Sequence, residues 1–142
     1  MMSDMENNFI VAKLNDGENL FDSLKRLTRE YNIRSGTILS GIGMLRNFEI
    51  GFFNGERYIK EKIRQPYELI ALHGSIATVN NKPSIHIHCG LAGPDHRLIG
   101  GHLFRAKVAV LNEITILKFD DMGLTRKKNK KSGIAELEIL RE

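Results

Sequence analysis

The chain has one cysteine, no tryptophan and three prolines among 142 residues. The single Cys89 excludes an internal disulfide, so we expect a reduced thiol in the core rather than a disulfide-stapled scaffold. No apolar run approaches the length of about 20 residues that a membrane helix needs. The first ten residues, MMSDMENNFI, lack the apolar core of a signal peptide. We therefore expect a cytoplasmic protein without a membrane partner.

Length and composition fit a single globular domain over residues 1–142, with residues 1–8 expected to be disordered. The chain is 42% hydrophobic and 27% charged, which is ordinary for a domain that buries a core. Its net charge of +4 depends on one segment, because residues 126–131, RKKNKK, carry five positive charges and the remainder sums to −1. We interpret residues 120–132 as a hydrated basic loop.

The same basic segment also allows a second interpretation, in which it contacts the phosphate backbone of a nucleic acid. Such contacts depend on clustered positive charge rather than on base sequence. The residues that would make them are Arg126, Lys127, Lys128, Lys130 and Lys131.

Hydrophobic periodicity predicts one main helix near the N-terminus, followed by a chain that is almost wholly β. Apolar residues recur at helical spacing from Leu20 to Tyr31, and Asn32 is a suitable stop. The pair of glycines in Gly41-Ile42-Gly43 predicts a break between strands, with either a tight turn or a place where another group approaches the backbone closely. The predicted strands are Phe9–Leu14, Ser35–Ser40, Leu45–Phe53, Arg57–Ile63, Tyr67–Val79, Ser84–Leu91, Gly101–Phe119 and Ile134–Leu140. One helix beside sequential strands indicates an α+β fold with a largely antiparallel sheet.

Residues 84–103, SIHIHCGLAGPDHRLIGGHL, contain four of the five histidines. The strand period places His86 and His88 on one face, about 6.6 to 7 Å apart at Cα, where both could reach one ion. A turn at Gly93-Pro94-Asp95 could then return His102 to the same place. On its own the first pair is better explained as a hydrogen-bonded strand face.

Several short motifs together resemble the plant and prokaryote conserved domain, PPC, which in land plants follows AT-hook DNA-binding motifs. The resemblance covers nearly the whole chain. The motifs are residues 33–36 (IRSG), 40–43 (SGIG) before Leu45-Arg46, 51–53 (GFF), 92–95 (AGPD) running into 100–103 (GGHL), Glu113 within an apolar strand, and 132–137 (SGIAEL).

The resemblance implies an antiparallel α+β fold, a homotrimer, and a metal site in which His86, His88 and His102 bind a divalent metal, usually zinc. Plant members generally lack this trio, so it places the chain in the prokaryotic branch. His96 stands where the family pattern more often has a small residue, which argues against it as a ligand. No Arg-Gly-Arg-Pro core occurs in the chain, so the AT-hook is absent.

Three histidines without a fourth protein ligand are typical of an open site, in which water or another ligand completes the coordination. Zinc is the expected metal, although imidazole also suits nickel, copper and iron. A metal-bound water could serve hydrolysis if Glu113 or Asp95 acted as general acid or base. Glu113 could instead be an interface or core charge paired with an arginine, for which the choices are Arg46, Arg97 and Arg105. His73 is interpreted as a strand histidine with satisfied hydrogen bonds.

The sequence therefore leaves three functional hypotheses. The first is a metal-binding homotrimer with a small-molecule ligand or a regulatory role. The second is a DNA-associated protein that uses the basic segment. The third is a metal-dependent enzyme with a small substrate.

Overall fold

The computed structural model describes residues 1–140, which form nine strands and one helix. The helix α1 spans Leu20–Glu30. The strands are β1 (Met2–Glu6), β2 (Phe9–Asn15), β3 (Gly36–Phe53), β4 (Tyr58–Ile63), β5 (Tyr67–Val79), β6 (Lys82–Ala92), β7 (Leu98–Lys118), β8 (Gly123–Lys128) and β9 (Ala135–Leu140).

Seven of these strands form one antiparallel sheet in the order β1-β2-β7-β6-β5-β3-β4. Strand β3 also pairs with β7, so β7, β6, β5 and β3 form a closed ring of antiparallel pairs. Strands β8 and β9 pair separately as a hairpin. The predicted architecture, a single domain with a mostly antiparallel sheet and one short helix near the N-terminus, is confirmed.

Helix α1 covers the inner face of the sheet. The Asn19 side chain accepts a hydrogen bond from the Asp22 N–H at 3.1 Å and caps the first turn. Leu20, Leu24 and Leu27 are fully buried, as the helical spacing predicts. The left-handed Asn32, with φ 49°, follows the end of the helix. No helix within the described residues is long and apolar enough to cross a membrane.

The N-terminal segment differs from the predicted disorder, because residues 2–6 form β1 and pair with β2. Main-chain hydrogen bonds to β2 order this segment, although its polar side chains show no pattern that predicts a strand. The segment is also held at two further points. The terminal amine lies 3.2 Å from a carboxylate oxygen of Glu18, and the Tyr31 hydroxyl donates to Ser3 Oγ at 2.9 Å.

The predicted break at Gly41-Ile42-Gly43 is wrong, because β3 continues from Gly36 to Phe53. Shifts in its register with β7 absorb the irregularity instead of ending the strand. At Gly43, φ is 132° and an added Cβ would lie 2.1 Å from the Leu111 carbonyl oxygen. The glycines therefore allow a close approach of two strands, which is the second of the two interpretations of the glycine pair, rather than a turn.

The interpretation of residues 120–132 as a loop is also wrong, because Gly123–Lys128 form β8 of the hairpin. Within this segment, residues 120–122 and the residues between β8 and β9 lie outside strands. There the Asn129 side-chain oxygen accepts hydrogen bonds from the N–H groups of Lys131 and Ser132 at 2.8 and 3.2 Å. A strand made largely of charged residues gives no apolar alternation, so periodicity missed it.

Candidate metal centre

Three histidines converge on one face of the sheet. His86 and His88 lie two residues apart on β6, and His102 on β7 is the direct cross-strand partner of His88. One ring nitrogen from each lies within 4.8 Å of those of the other two. The ring centroids are 4.9 to 5.4 Å apart. Strand parity aligns the first pair, and the register between β6 and β7 supplies the third imidazole.

The arrangement fits a small divalent ion. A tetrahedral ion with metal–nitrogen bonds of about 2.0 to 2.1 Å separates its ligand nitrogens by about 3.4 Å. Rotation of the three imidazole side chains can close the remaining gap. Among the described residues, the ligand atoms that converge here are all imidazole nitrogens, and no carboxylate or thiolate joins them. This donor set suits zinc and other divalent ions of the later first transition series.

The environment of two of these imidazoles favours their neutral form. Burial lowers the pKa of His102 to about 4, and the neighbouring His86 and His88 lower it further. Burial also lowers the pKa of His86, followed by the positive charges of Arg126 and His88. A neutral imidazole has a free nitrogen lone pair, so His86 and His102 are ready to bind a cation without first losing protons.

Aromatic side chains form a wall behind His102. The Tyr58 hydroxyl lies 3.4 Å from His102 Nδ1. If that Nδ1–H donates to the Tyr58 oxygen, Nε2 remains free for a metal. The Phe104 ring centroid is 4.4 Å from that of His102, and the Tyr58 ring centroid is 4.9 Å away. The sequence analysis missed Tyr58, because only the pairing of β4 with β3 brings it to the site.

The glycine before His102 serves close packing. Gly101 has φ 150°, and an added Cβ would lie 2.6 Å from the Gly51 carbonyl oxygen on β3. Any larger residue there would push β3 away from β7. Gly101 therefore fixes the depth at which His102 enters the cluster, and it leaves no room for a ligand at its own Cα.

The other histidines and Cys89 lie outside the cluster. His73 is exposed and pairs across the sheet with His88, and His96 is exposed in the turn before β7, with φ 63°. Neither joins the group of convergent ring nitrogens. Cys89 faces the core between His88 and Gly90, and burial raises the pKa of its thiol to about 12. It is therefore a buried thiol rather than a thiolate ligand.

The acidic candidates also lie apart from the histidines. Glu113 is exposed on β7 and pairs in register with Lys13, which corrects the expectation of a buried carboxylate. Asp95 is exposed, with a carboxylate oxygen 3.7 Å from Arg97 Nε. Neither belongs to the group of convergent ligand atoms among residues 1–140.

The arginines proposed as partners of Glu113 pair with other carboxylates. Arg46 pairs with Asp16, and Arg105 Nε lies 3.3 Å from Glu49. Glu49 is the buried carboxylate of this fold, with 8% exposure, and the ammonium groups of Lys60 and Lys62 also neutralise it. Glu49 lies on β3 between two of the family motifs, and nothing in the surrounding sequence predicts its burial.

The basic residues divide into two groups. Lys127, Lys128, Lys130 and Lys131 are exposed, and the Lys127 ammonium lies 3.8 Å from Glu138 on β9. Arg126 is half-buried, and its Nη2 donates to Ser75 Oγ on β5 at 2.6 Å. The four lysines remain available for a polyanion, whereas Arg126 belongs to the surroundings of the histidines.

Comparison with protein families matches residues 1–120 to the Plants and Prokaryotes Conserved (PCC) domain. Three solved structures share the fold. A plant- and prokaryote-conserved (PPC) protein from Pyrococcus horikoshii is 28% identical with a TM-score of 0.86, covering 99% of this chain and 97% of that one. A metal-containing protein from Archaeoglobus fulgidus is 27% identical with a TM-score of 0.83, covering 96% and 97%. A protein from Ralstonia eutropha, provisionally named DNA-binding, is 27% identical with a TM-score of 0.86, covering 96% and 94%.

A curated relative, the bifunctional protein GlmU from a Synechococcus strain, is 25% identical over 130 residues. The matched segment is 89% of this chain but 19% of the relative. The chain therefore spans about a fifth of the length of that protein, and the similarity concerns one segment of it.

Proposed function

Because the chain belongs to the Plants and Prokaryotes Conserved domain family, we propose that it is a metal-binding protein in which His86, His88 and His102 hold one divalent ion, zinc. We propose further that it assembles as a homotrimer in the cytoplasm and binds a small molecule or acts as a regulator.

The observation that carries the metal assignment is the convergence of three imidazoles from β6 and β7 on one point. Hydrogen-bonded strand histidines have no reason to gather in this way, because each would find its own partner. The metal-containing protein of Archaeoglobus fulgidus, which is 27% identical over 96% of this chain, supports the same assignment. Three protein nitrogens leave a coordination position open for a ligand.

Ligand binding is favoured over hydrolysis. A hydrolytic metal site usually holds a general acid or base within reach of the metal-bound water. Among the described residues, Glu113 and Asp95 lie outside the convergent group of ligand atoms, which contains no carboxylate. Glu56 lines the space beside the histidines but is not part of that group. The open position therefore suits a bound ligand better than an activated water.

An exposed apolar face supports the proposed homotrimer. Phe9 and Val11 on β2 and Ile42 on β3 flank β7, and they are 48%, 56% and 48% exposed. Register places them on the same side of the sheet as Glu113, which lies between Lys13 and Ile42. An apolar surface of this kind is typical of an association site. Glu113 would then be an interface charge.

Association with DNA is the second candidate. The exposed lysines of the hairpin favour it, as does the provisional DNA-binding name of the Ralstonia eutropha protein. However, Glu136 and Glu138 on β9 pair in register with Lys127 and Thr125 and reduce the positive field of the hairpin. We therefore rank this role below metal binding.

The test is to purify the protein without chelators and to measure its metal content and mass. We expect about one zinc ion per chain by elemental analysis. Light scattering should return three times the 16.1 kDa of one chain. Metal-free protein that stays empty after incubation with zinc would refute the metal assignment. A mass of 16.1 kDa at micromolar concentration would refute the trimer.

A further inference from the structure

A cavity of about 470 Å³ opens beside the histidine cluster. His86 and His102 form one side of it, and Phe53 and Tyr58 form an aromatic side. The hairpin closes it with Arg126 from β8 and with Ile134 from the turn before β9. Its size is within the range of about 300 to 1,000 Å³ that is usual for small-molecule sites.

Arg126 has more hydrogen-bond donors than the protein uses. Its Nη2 donates to Ser75 Oγ at 2.6 Å, and its Nη1 donates to the Ala135 carbonyl oxygen at a long 3.4 Å. Its Nε is buried and has no hydrogen-bond partner among residues 1–140. A guanidinium has five N–H donors, so Nη1 and Nη2 of Arg126 each keep one N–H for another acceptor.

The charge of Arg126 is also uncompensated. None of the ion pairs formed by the described residues includes it. The cavity lining contains Arg57 as a second arginine and Glu56 as an acidic residue, so its net charge is positive. A half-buried guanidinium without a carboxylate partner is costly unless an anion joins it.

A metal ion at the three histidines would add to the excess positive charge of the cavity. Imidazole binds a metal ion in its neutral form, so three such ligands would leave the full double charge of the ion. The ion and Arg126 would then attract an anion from two sides of one cavity. A ligand that satisfies both must place an oxyanion between them.

We propose that this cavity binds a small organic anion, whose carboxylate or phosphate group pairs with Arg126 and whose apolar body packs against Phe53, Tyr58 and Ile134. The guanidinium fork matches either oxyanion in a bidentate manner. The inference rests on the proposed metal site for its second anchor, the open coordination position. The first anchor, Arg126, is independent of the metal.

The apolar lining determines that the anion is organic. Inorganic phosphate would fill a small part of 470 Å³ and would leave the two aromatic rings and Ile134 without a contact. An aromatic acid buries these surfaces, and each buried apolar group adds to the affinity. The family model ends at residue 120, so both Arg126 and Ile134 come from the segment beyond it.

The test uses benzoate and phenyl phosphate as probes, benzamide as a neutral analogue of benzoate, and inorganic phosphate as an anion without an apolar body. Calorimetric titration is carried out on the zinc-loaded full chain and on the chain after chelation. We expect at least one of the two organic anions to bind, and benzamide and inorganic phosphate to bind more weakly. Comparing the affinities for benzoate and phenyl phosphate shows whether the site prefers a carboxylate or a phosphate.

Variants then locate the site. Arg126→Gln should weaken binding of the organic anion by about tenfold or more, which is the usual effect of losing a charge-assisted hydrogen bond. Arg97→Gln is the matched control, because Arg97 is 88% exposed and does not line the cavity. Its affinity should equal that of the wild type. Ala135→Glu, at an exposed position of the lining, places a carboxylate beside Arg126 and should abolish binding even if Arg126→Gln folds poorly.

Two results would overturn the inference. One is that neither organic anion binds at millimolar concentration. The other is that Arg126→Gln and Ala135→Glu both bind the organic anion as tightly as the wild type does. The metal proposal fails separately, if zinc does not bind. Binding that depends on Arg126 in the chelated protein would then still support the anion site.

Discussion

The histidine cluster and the basic segment each contain side chains of one chemical kind, imidazoles in the first and cations in the second. The fold places these two sets differently. The histidines come from paired strands, and register brings their rings together at centroid distances of 4.9 to 5.4 Å. The basic residues lie on one strand and one turn, and their side chains diverge. Arg126 turns inward to Ser75, while Lys127 is 77% exposed.

This difference shows that residues close in sequence form a site only where a paired strand adds another residue of the same kind. Strand β9 pairs with the basic strand but brings glutamates to it. Successive side chains on a strand also point to opposite faces. Arg126 turns inward and takes part in the chemistry of the neighbouring site, whereas the four lysines remain surface charges.

The largest expected effect is on the histidine cluster. His102→Ala leaves two protein nitrogens, so zinc affinity should fall by more than the roughly 10- to 100-fold that loss of an outer hydrogen-bond partner costs. Elemental analysis after gel filtration should find little metal. His73→Ala and His96→Ala are the controls and should keep the wild-type metal content. Equal losses in His96→Ala and His102→Ala would mean that the third ligand is wrongly assigned.

A change of similar size is expected for the basic segment, if the protein binds DNA. Replacing Lys127, Lys128, Lys130 and Lys131 with serine removes four charges and takes the net charge from +4 to 0. The wild type should show a log–log salt slope of up to about −3.6, and the variant should lose binding to duplex DNA. Fluorescence anisotropy at several salt concentrations measures both. An unchanged slope in the variant would exclude the hairpin as the contact.

A smaller effect concerns the pH dependence of the metal-free protein. Burial holds the pKa of His102 at about 4, below its ordinary 6.5. Between these two pH values His102 is protonated in the unfolded chain but not in the folded chain. The free energy of unfolding should therefore fall as pH decreases from about 6.5 to 4 and then level off.

Chemical denaturation across this pH range measures the effect. His102→Gln should reduce the slope of the curve, since it removes one of the two histidines whose pKa is lowered, while His86 keeps its own contribution. His96→Gln, at an exposed position, should retain the wild-type curve. A curve that stays unchanged in His102→Gln would contradict the assignment.

The smallest effect is expected from Tyr58→Phe. It removes the hydroxyl that lies 3.4 Å from His102 Nδ1 but keeps the aromatic ring. At this length the hydrogen bond is weak, so zinc affinity should fall by about tenfold or less, with unchanged thermal stability. Competition with a chromogenic chelator measures the affinity. A loss as large as that of His102→Ala would show that the ring alone does not hold the imidazole in place.

Much of the fold could be predicted from the sequence. Helix α1 and the long strands have strong hydrophobic periodicity, which depends only on neighbouring residues. Residues 2–6 and 123–128 were missed, because their strands consist largely of polar residues and owe their order to main-chain pairing. The break at Gly41–Gly43 was predicted wrongly, because a glycine that permits a bulge and one that permits a turn look alike in sequence.

The sequence by itself determined that His86 and His88 share a face, because the strand period is a property of the local backbone. It also determined the helix, the excess of β-strands and the concentration of positive charge in residues 126–131. The turn at residues 93–95 allowed His102 to join the pair, and the resemblance to the family supported this. These conclusions depend on spacing along the chain or on motifs within it.

Only the tertiary structure decided what surrounds the cluster. The pairing of β4 with β3 brings Tyr58 to His102, and the hairpin brings Arg126 to Ser75 across 51 residues. The same register leaves Glu113 exposed and buries Glu49. A shift of one residue in register would exchange the two faces of a strand, and no local pattern specifies the register of polar strands. Contacts between distant strands therefore fixed the environment of the site.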